Sequence, residues 1–153
     1  MKFLTFKLGM VEYAVDVGIV ESVVEYGGSI QVPSPLPYML GVMDLRGQSI
    51  PIVGLGRKLG LQPLEGTIKG SVIIFAMRPY EMESKAVIVG ALVDEVCEVL
   101  TIDMGGLEGA HGEGAALWEP FVLGVAHHEG RMIVVIKPEG LFSLTELGSM
   151  AAA

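Results

Sequence analysis

One stretch of this chain occurs twice in similar form, and it decides the fold. The first copy is Gly41–Leu61, GVMDLRGQSIPIVGLGRKLGL, and the second is Gly124–Leu144, GVAHHEGRMIVVIKPEGLFSL, 83 residues later. Glycines and apolar residues match between the copies. The matched pairs are Gly41 with Gly124, Val42 with Val125, Gly47 with Gly130, Ile50 with Ile133, Ile52 with Val135, and Leu59 with Phe142.

A second block precedes each copy in the same order. Ile19–Glu25 lies over Leu92–Glu98 at an offset of 73 residues. Two ordered blocks with matched glycines indicate an internal duplication rather than chance similarity between apolar strands. We therefore expect one domain over residues 1–147, made of two similar β units at about 1–68 and 69–147 that share one core, followed by a tail at 148–153. Each unit alone would be only marginally stable.

The periodicity of the sequence predicts a mainly β fold. Alternating or continuous β-branched runs indicate strands, and a Pro inside a run confines that strand to an edge or a bulge. Helical signals are short. The predicted strands are Phe3–Leu8, Val11–Val17, Gln48–Val53 with Pro51 inside it, Ser71–Met77, Lys85–Val93 and Met132–Ile136, and the predicted helices are Gly56–Leu61 and Pro138–Leu147.

Composition excludes several classes of protein. The chain has 153 residues, of which 51% are hydrophobic, so intrinsic disorder is excluded. Its 18 acidic and 10 basic residues give a net charge of −8, which makes nucleic acid and anionic membranes poor partners. No apolar run reaches the roughly 18 residues of a membrane helix, so no direct membrane insertion is expected. The single cysteine, Cys97, fits a reducing compartment such as the cytoplasm.

The residues that carry chemistry are few, and we predict no catalytic residue, no cofactor and no metal. His127 and His128 are adjacent, and adjacent strand residues point to opposite faces. Cys97 has no basic neighbour that would lower its pKa. A hydrolase using Asp94 and His127 would need a nucleophile, a base and an orienting group that converge, which the sequence does not indicate.

Arg46 is the charged residue that stands out, because apolar strands flank it in Asp44-Leu45-Arg46-Gly47. One interpretation is an exposed turn arginine paired with Asp44. The other is an arginine presented to a partner at a strand end, where Gly41 and Gly47 allow close backbone approach. Composition does not decide between the two.

The sequence resembles the CheW-like family of bacterial chemotaxis adaptors over about residues 2–147. The resemblance lies in Gly41–Gly47 followed by Ile50–Val53, in Val89–Val96, and in Leu123–Val125 followed by Met132–Ile136. The chain departs from the family pattern at a few positions, which concern partner specificity. These are Asp44, Gly54, Gly56 and Lys137-Pro138.

The resemblance implies a fold of two five-stranded β-barrels around a common core, with short helices. It also implies a non-catalytic scaffold that couples the cytoplasmic tips of methyl-accepting chemoreceptors to the regulatory domain of the histidine kinase CheA. With no kinase or receiver segment in the sequence, the chain resembles the stand-alone adaptor. Such a protein would be cytoplasmic and associated with membrane receptor arrays through its partners.

Carried over from the family, the receptor-binding residues are Glu25, Gly41, Arg46, Ile73 and Val96. The alternative function is a small-molecule-binding β module that holds its ligand in the cleft between the two barrels. Copurified ligand would support that alternative.

Overall fold

The computed structural model describes residues 1–34, 36–61, 70–78, 86–108, 121–137 and 141–142. Within these residues the chain is almost entirely β, which confirms the predicted fold class. The ten strands are β1 Lys2–Leu8, β2 Val11–Asp16, β3 Val20–Glu25, β4 Met39–Leu45, β5 Gln48–Gly54, β6 Ser71–Met77, β7 Val87–Val93, β8 Glu95–Thr101, β9 Val122–His128 and β10 Arg131–Ile136.

Helices are short. The helix α1 covers Leu55–Lys58, and single 3-10 turns cover Val17–Ile19 and Met104–Gly106. No helix in the described ranges is long and apolar enough to cross a bilayer. The predicted helix Pro138–Leu147 and the tail 148–153 lie largely or wholly outside the described residues.

The strands form two five-stranded sheets with the same topology. The first compact unit contains Met1–Gly18 and the described residues from Glu95 to Phe142, and its strand order is β8-β1-β2-β10-β9. The second unit contains Ile19–Asp94, with the order β3-β6-β7-β5-β4. Each sheet has one parallel pair, β2 with β10 or β5 with β7, and the other pairs are antiparallel.

The units differ from the predicted halves at 1–68 and 69–147. Each half of the chain places its first two strands in one unit and its last three in the other, since β1–β2 pair with β8–β10 and β6–β7 pair with β3–β5. The first hairpin of each repeat is thus exchanged for the corresponding hairpin of the other repeat. The repeat is real, but its boundaries do not coincide with the compact units.

Each sheet is an open five-stranded sheet whose two edges are joined by a single bridge. In the second unit, Ile30 follows the edge strand β3 and bonds to Val42 of the opposite edge strand β4, with N···O distances of 2.8 and 2.9 Å. In the first unit, Glu108 follows β8 and bonds to Val125 of β9 at 2.9 and 2.8 Å. The expected closed barrels are therefore curled sheets, and among the described residues one isolated bridge joins the two edges of each.

The registers test the two repeat offsets. Gly41 pairs with Ile52 and Gly124 pairs with Val135, which confirms the offset of 83. The offset of 73 is wrong by three residues: Val20 pairs with Phe75 of β6 and Val96 pairs with the corresponding Phe6 of β1, which gives 76. Both edge strands carry a β-bulge next to these pairs, and beyond the bulge Val23 pairs with Ile73 and Val99 with the corresponding Leu4, which again gives 76.

For Pro51 the sequence predicts an edge or a bulge. Because β5 has a neighbour on each side, the edge position is wrong, but the β4–β5 pair has a β-bulge next to Pro51, between Met39 and Gly41. Its partner in β4 is Val42, whose backbone N–H and C=O both form hydrogen bonds with Ile30. Val42 and Pro51 therefore form a non-hydrogen-bonded pair, in which the missing N–H of proline costs no bond to β4. The parallel pairing of β5 with β7 begins one residue later, at Ile52.

Each unit has its own apolar cluster inside the curled sheet, and these clusters fix the strand faces. Seven buried residues form the cluster of the first unit: Phe3, Ala14, Leu100, Ile102, Ala126, Ile133 and Val135. Four buried residues form that of the second: Ile50, Ile52, Val72 and Ile74, with Met43 and Leu45 packed against them.

Candidate protein-interaction surface

The five predicted site residues do not share one unit. Four of them, Glu25, Gly41, Arg46 and Ile73, belong to the second unit, and Val96 belongs to the first. Within the second unit Glu25 ends β3 and Gly41 lies in β4, at opposite edges of the sheet. The bridge between Ile30 and Val42 joins these two edges, so the chain runs from Glu25 to the neighbour of Gly41 in a few residues.

Arg46 lies at the first position of the two-residue loop between β4 and β5. Arg46 has φ 52° and Gly47 has φ 82°, and Leu45 pairs with Gln48 on either side of them. Positive φ at both loop residues is the pattern of a type I′ hairpin turn, whose twist matches that of the flanking strands. The equivalent turn of the first unit has the same form, with Glu129 at φ 50° and Gly130 at φ 79°. The left-handed backbone of Arg46 thus follows from the hairpin type.

The side chain of Arg46 is exposed and makes no hydrogen bond or ion pair with any described residue. Asp44, also exposed, forms no salt bridge with it in the described structure. The interpretation of Arg46 as a local brace for Asp44 therefore lacks support. What remains is a guanidinium held out on a short turn, with five N–H donors available to a carboxylate or carbonyl group.

Gly41 has a structural role that its neighbours define. It is buried in β4, it has φ 139°, and a Cβ at this position would overlap the carbonyl oxygen of Ile30. That carbonyl accepts the hydrogen bond from Val42 N that closes the sheet. Gly41 is therefore required for closure and offers no side chain to a partner.

The segment Tyr26–Ile30, which we call the strap, is fastened at several points. Tyr26 N donates to Gly70 O at 3.1 Å, next to the end of β3. The hydroxyls of Tyr26 and Ser29 lie 2.9 Å apart, and Ser29 Oγ donates to Leu40 O at 3.3 Å. These bonds, with the bridge at Ile30, hold the strap against both edges of the sheet.

Ile73 and Glu25 lie on the face of the sheet opposite to the apolar cluster. Ile73 is 0% exposed, so it supports this face and cannot itself contact a partner in this structure. Its direct neighbour on β3 is Val23, which is 41% exposed, and Glu25 follows two residues later on the same face. Sequence analysis missed Val23. No residue of β3 is fully buried, and Val23 lies on the exposed side of the strand together with Glu21 and Glu25, where the sequence alone does not predict an apolar residue.

Val96 lies in β8 of the first unit and is half-buried. A charged network lies close to this strand. Arg131 Nη1 donates to both carboxylate oxygens of Glu12 at 3.1 and 3.3 Å, and Arg131 Nη2 donates to Glu98 Oε2 at 3.2 Å. The Glu12 side chain is only 8% exposed. The network links β10 to β2 and to β8, and so secures the first unit near its β9–β10 turn.

Cys97, between Val96 and Glu98, is not activated. Cys97 is exposed on β8. Partial burial of its thiol still raises the pKa, and the charges of Glu12 and Glu95 raise that pKa further, against smaller lowering effects of the Lys7 charge and a Thr5 hydrogen bond. A thiol with a raised pKa is a poor nucleophile at neutral pH.

The two adjacent histidines have separate partners. His127 Nε2 lies 3.0 Å from Glu108 Oε2, and His128 Nε2 lies 4.0 Å from Glu129 Oε1. Among the described residues no group of three or more His, Cys, Asp or Glu side chains could hold a metal ion. A shallow pocket of about 130 Å³ beside these histidines, between β9 and the turn at Met104–Gly106, is small for a ligand site.

The model of the CheW-like domain family matches residues 2–146. The chain belongs to this family.

Two curated relatives and a solved structure match between 71% and 95% of the chain. The probable chemotaxis protein CheW of Rhizobium etli is 30% identical over 145 residues, which is 95% of this chain and 89% of that protein. The chemotaxis protein CheW of Bacillus subtilis is 34% identical over 109 residues, 71% of this chain and 65% of that one. The crystal structure of the scaffolding protein TtCheW from Thermoanaerobacter tengcongensis superposes with a TM-score of 0.73 at 25% identity, covering 95% of this chain and 94% of the other. The two relatives are named as chemotaxis proteins, and the solved structure is that of a scaffolding protein.

Proposed function

We propose that this protein is a non-catalytic, cytoplasmic adaptor that couples the cytoplasmic tips of methyl-accepting chemoreceptors to the regulatory domain of the histidine kinase CheA. The observation that carries the proposal is Arg46: an exposed guanidinium, without a partner among the described residues, on the turn of the family's most specific motif. Membership of the family over residues 2–146 supports the same role.

The receptor side of the adaptor is assigned to the second unit. We place it on the face of the sheet opposite to the apolar cluster, where Glu25 lies and which the strap and the Arg46 turn adjoin. Gly41 and Ile73 are buried and have a structural role there. Val96, in the first unit, completes the set of residues carried over from the family. A receptor tip, which is helical, would place carboxylate or carbonyl groups against the Arg46 fork.

The proposal is tested with three purified components: this protein, the cytoplasmic fragment of a chemoreceptor, and the CheA from the same genome. Calorimetry of each pair measures binding, and CheA autophosphorylation measured with all three reports coupling. We expect binding to each partner and a kinase rate that depends on the presence of this protein. Binding to neither partner would contradict the proposal.

A further inference from the structure

The second unit carries two adjacent cations in α1, the short helix that follows β5. Lys58 ends this helix and is half-buried, and its Nζ lies 4.8 Å from the centre of the Tyr38 ring. Tyr38 is buried, and its carbonyl oxygen accepts a hydrogen bond from Gly54 N at 2.9 Å, immediately before the helix. The ring and the helix are thus tied together, and the ring attracts the Lys58 amine to one place.

The neighbouring cation, Arg57, is exposed and makes no hydrogen bond or ion pair with any residue that the structure describes. Its Cγ and Cδ lie 3.8 Å from the point that a Cβ of Gly54 would occupy, and Leu40 Cδ2 lies 3.7 Å from the same point. Leu40 comes two residues after Tyr38, so Arg57 and Lys58 both lie along the segment 38–40. An arginine in this state can bind a phosphate group through two parallel N–H donors.

Lys58 gives up its proton more readily than an ordinary lysine. Burial lowers the pKa of its ammonium group. A larger share of Lys58 is therefore neutral amine near neutral pH, and this is the form that attacks a carbonyl carbon. Lys2 and Lys7, which are both exposed on β1, provide a comparison within the same chain.

The charge of the protein indicates which acyl donor would reach this amine. The whole chain has a net charge of −8, which repels anions in general. The Arg57 guanidinium, exposed next to Lys58, is a local exception and attracts them. A donor whose leaving group is a phosphate matches both residues, since one binds the phosphate and the other takes the acyl group.

We propose that Lys58 is a modification site that takes the acyl group of a small acyl phosphate, with Arg57 binding the phosphate group of the donor. The lone pair of Nζ attacks the carbonyl carbon, the bond from that carbon to the phosphate oxygen breaks, and inorganic phosphate leaves with the electron pair. Nζ then loses one proton to water, so that the product is a neutral amide. The Tyr38 ring loses its cation, and the chain becomes one unit more negative than −8.

The test treats the intact protein with acetyl phosphate or with acetic anhydride and follows each lysine by peptide mass spectrometry. Acetic anhydride is uncharged, so it reports the reactivity of the amine alone. We expect Lys58 to be acetylated at least about threefold faster than Lys2 and Lys7 by either reagent, with the larger lead for acetyl phosphate. In guanidinium chloride the lead should disappear, because it depends on the folded surroundings of Lys58.

The role of Arg57 is tested with Arg57→Gln, and Arg78→Gln is the matched control. Arg78 is also exposed and follows β6. We expect Arg57→Gln to slow the reaction of Lys58 with acetyl phosphate by roughly threefold or more, and to leave its reaction with acetic anhydride within about twofold of wild type. Arg78→Gln should leave both reactions of Lys58 as they are in wild type.

Three results would overturn parts of this assignment. Equal rates for Lys58, Lys2 and Lys7 with acetyl phosphate would remove Lys58 as a preferred site. A lead that persists in guanidinium chloride would show that it comes from the local sequence and that Tyr38 has no part in it. An unchanged acetyl phosphate rate in Arg57→Gln, or the same loss in Arg78→Gln, would remove Arg57 as the phosphate-binding residue.

Discussion

The carbonyl oxygen of Ile30 occupies the space in which a Cβ of Gly41 would lie. This one relationship connects the strap, the closure of the second sheet and the best-matched glycine of the repeat. Because the same carbonyl accepts the hydrogen bond from Val42 N, the sheet closes only when residue 41 has no side chain.

Gly41→Ala should therefore destabilise the protein. The methyl group would collide with backbone that cannot move without opening the bridge, and φ 139° is itself strained for any L side chain. We expect a loss of at least about 2 kcal/mol in the free energy of unfolding, measured by urea denaturation.

Gly56→Ala is the matched control for this substitution. Gly56 lies in α1, and a Cβ there would have no neighbour within 4 Å. Alanine favours the helix, so we expect no loss and a gain of up to about 1 kcal/mol. Equal stability of Gly41→Ala and wild type would show that the strap gives way without cost.

The fold could be predicted from the sequence only where the signal is local. Alternation predicts β5 and β10, and the offset of 83 between the two copies agrees with the pairing of β4 with β5 and of β9 with β10. The exchange of hairpins between repeats depends on the parallel pairs of β2 with β10 and β5 with β7, which join residues far apart in the chain. Nothing in the periodicity of a strand encodes its distant neighbour.

The candidate site likewise has residues with a local sequence signal and residues whose role depends on distant parts of the chain. Arg46 stands out from composition because it is a charge between apolar strands. The role of Gly41 was predicted only as close backbone approach, since the approaching atom belongs to Ile30. Ile30 and Val23 were missed because exposure of an aliphatic residue is a property of the fold and has no mark in the sequence.

The contribution of the Glu12–Arg131 pair to stability can be tested by substituting the residues that occupy the equivalent positions in the second unit. By register, Ile88 of the second unit corresponds to Glu12 and Gln48 to Arg131, so the same place is filled there without charge. Arg131→Gln alone leaves the nearly buried Glu12 carboxylate without its cation. We expect the Tm to fall by roughly 5–10 °C.

The double variant Glu12→Ile, Arg131→Gln removes the stranded charge and should recover most of that loss, as measured by differential scanning calorimetry. Replacing a buried ion pair by residues that pack is often neutral. A double variant no more stable than Arg131→Gln would mean that the network also determines the packing of β8 through Glu98.

Cys97 should alkylate slowly. Burial and the charges of Glu12 and Glu95 raise its pKa, so at any pH below that raised value it carries less thiolate than a free cysteine. We expect the iodoacetamide rate of Cys97 to reach its midpoint at a higher pH than that of glutathione. Glu95→Gln removes one of these charges and should move the midpoint to lower pH, whereas an unchanged midpoint would show that the Glu95 charge does not contribute.

The two equivalent turns predict a matched pair of stabilising substitutions. Arg46 and Glu129 both occupy left-handed backbone ahead of a glycine, where asparagine is preferred. Arg46→Asn and Glu129→Asn should each leave stability unchanged or raise it by up to about 1 kcal/mol. Thermal melting compares them, and a loss for Arg46→Asn alone would reveal a structural contact of the arginine that Glu129 lacks.

The same position separates binding from folding. Arg46→Glu should weaken receptor binding by on the order of 2–5 kcal/mol, because charge reversal places a carboxylate against the acceptors that the guanidinium would bind. The fold should lose no more than about 0.5 kcal/mol, since the Arg46 side chain is exposed and makes no hydrogen bond or ion pair with a described residue. Arg57→Glu, on the exposed face of α1, carries the same charge change away from the turn and should bind the receptor as wild type does. Calorimetry against the receptor fragment measures the binding of both variants, and thermal melting measures their stability. A Tm far below wild type for Arg46→Glu would make the residue structural, and wild-type affinity in both variants would remove Arg46 from the binding surface.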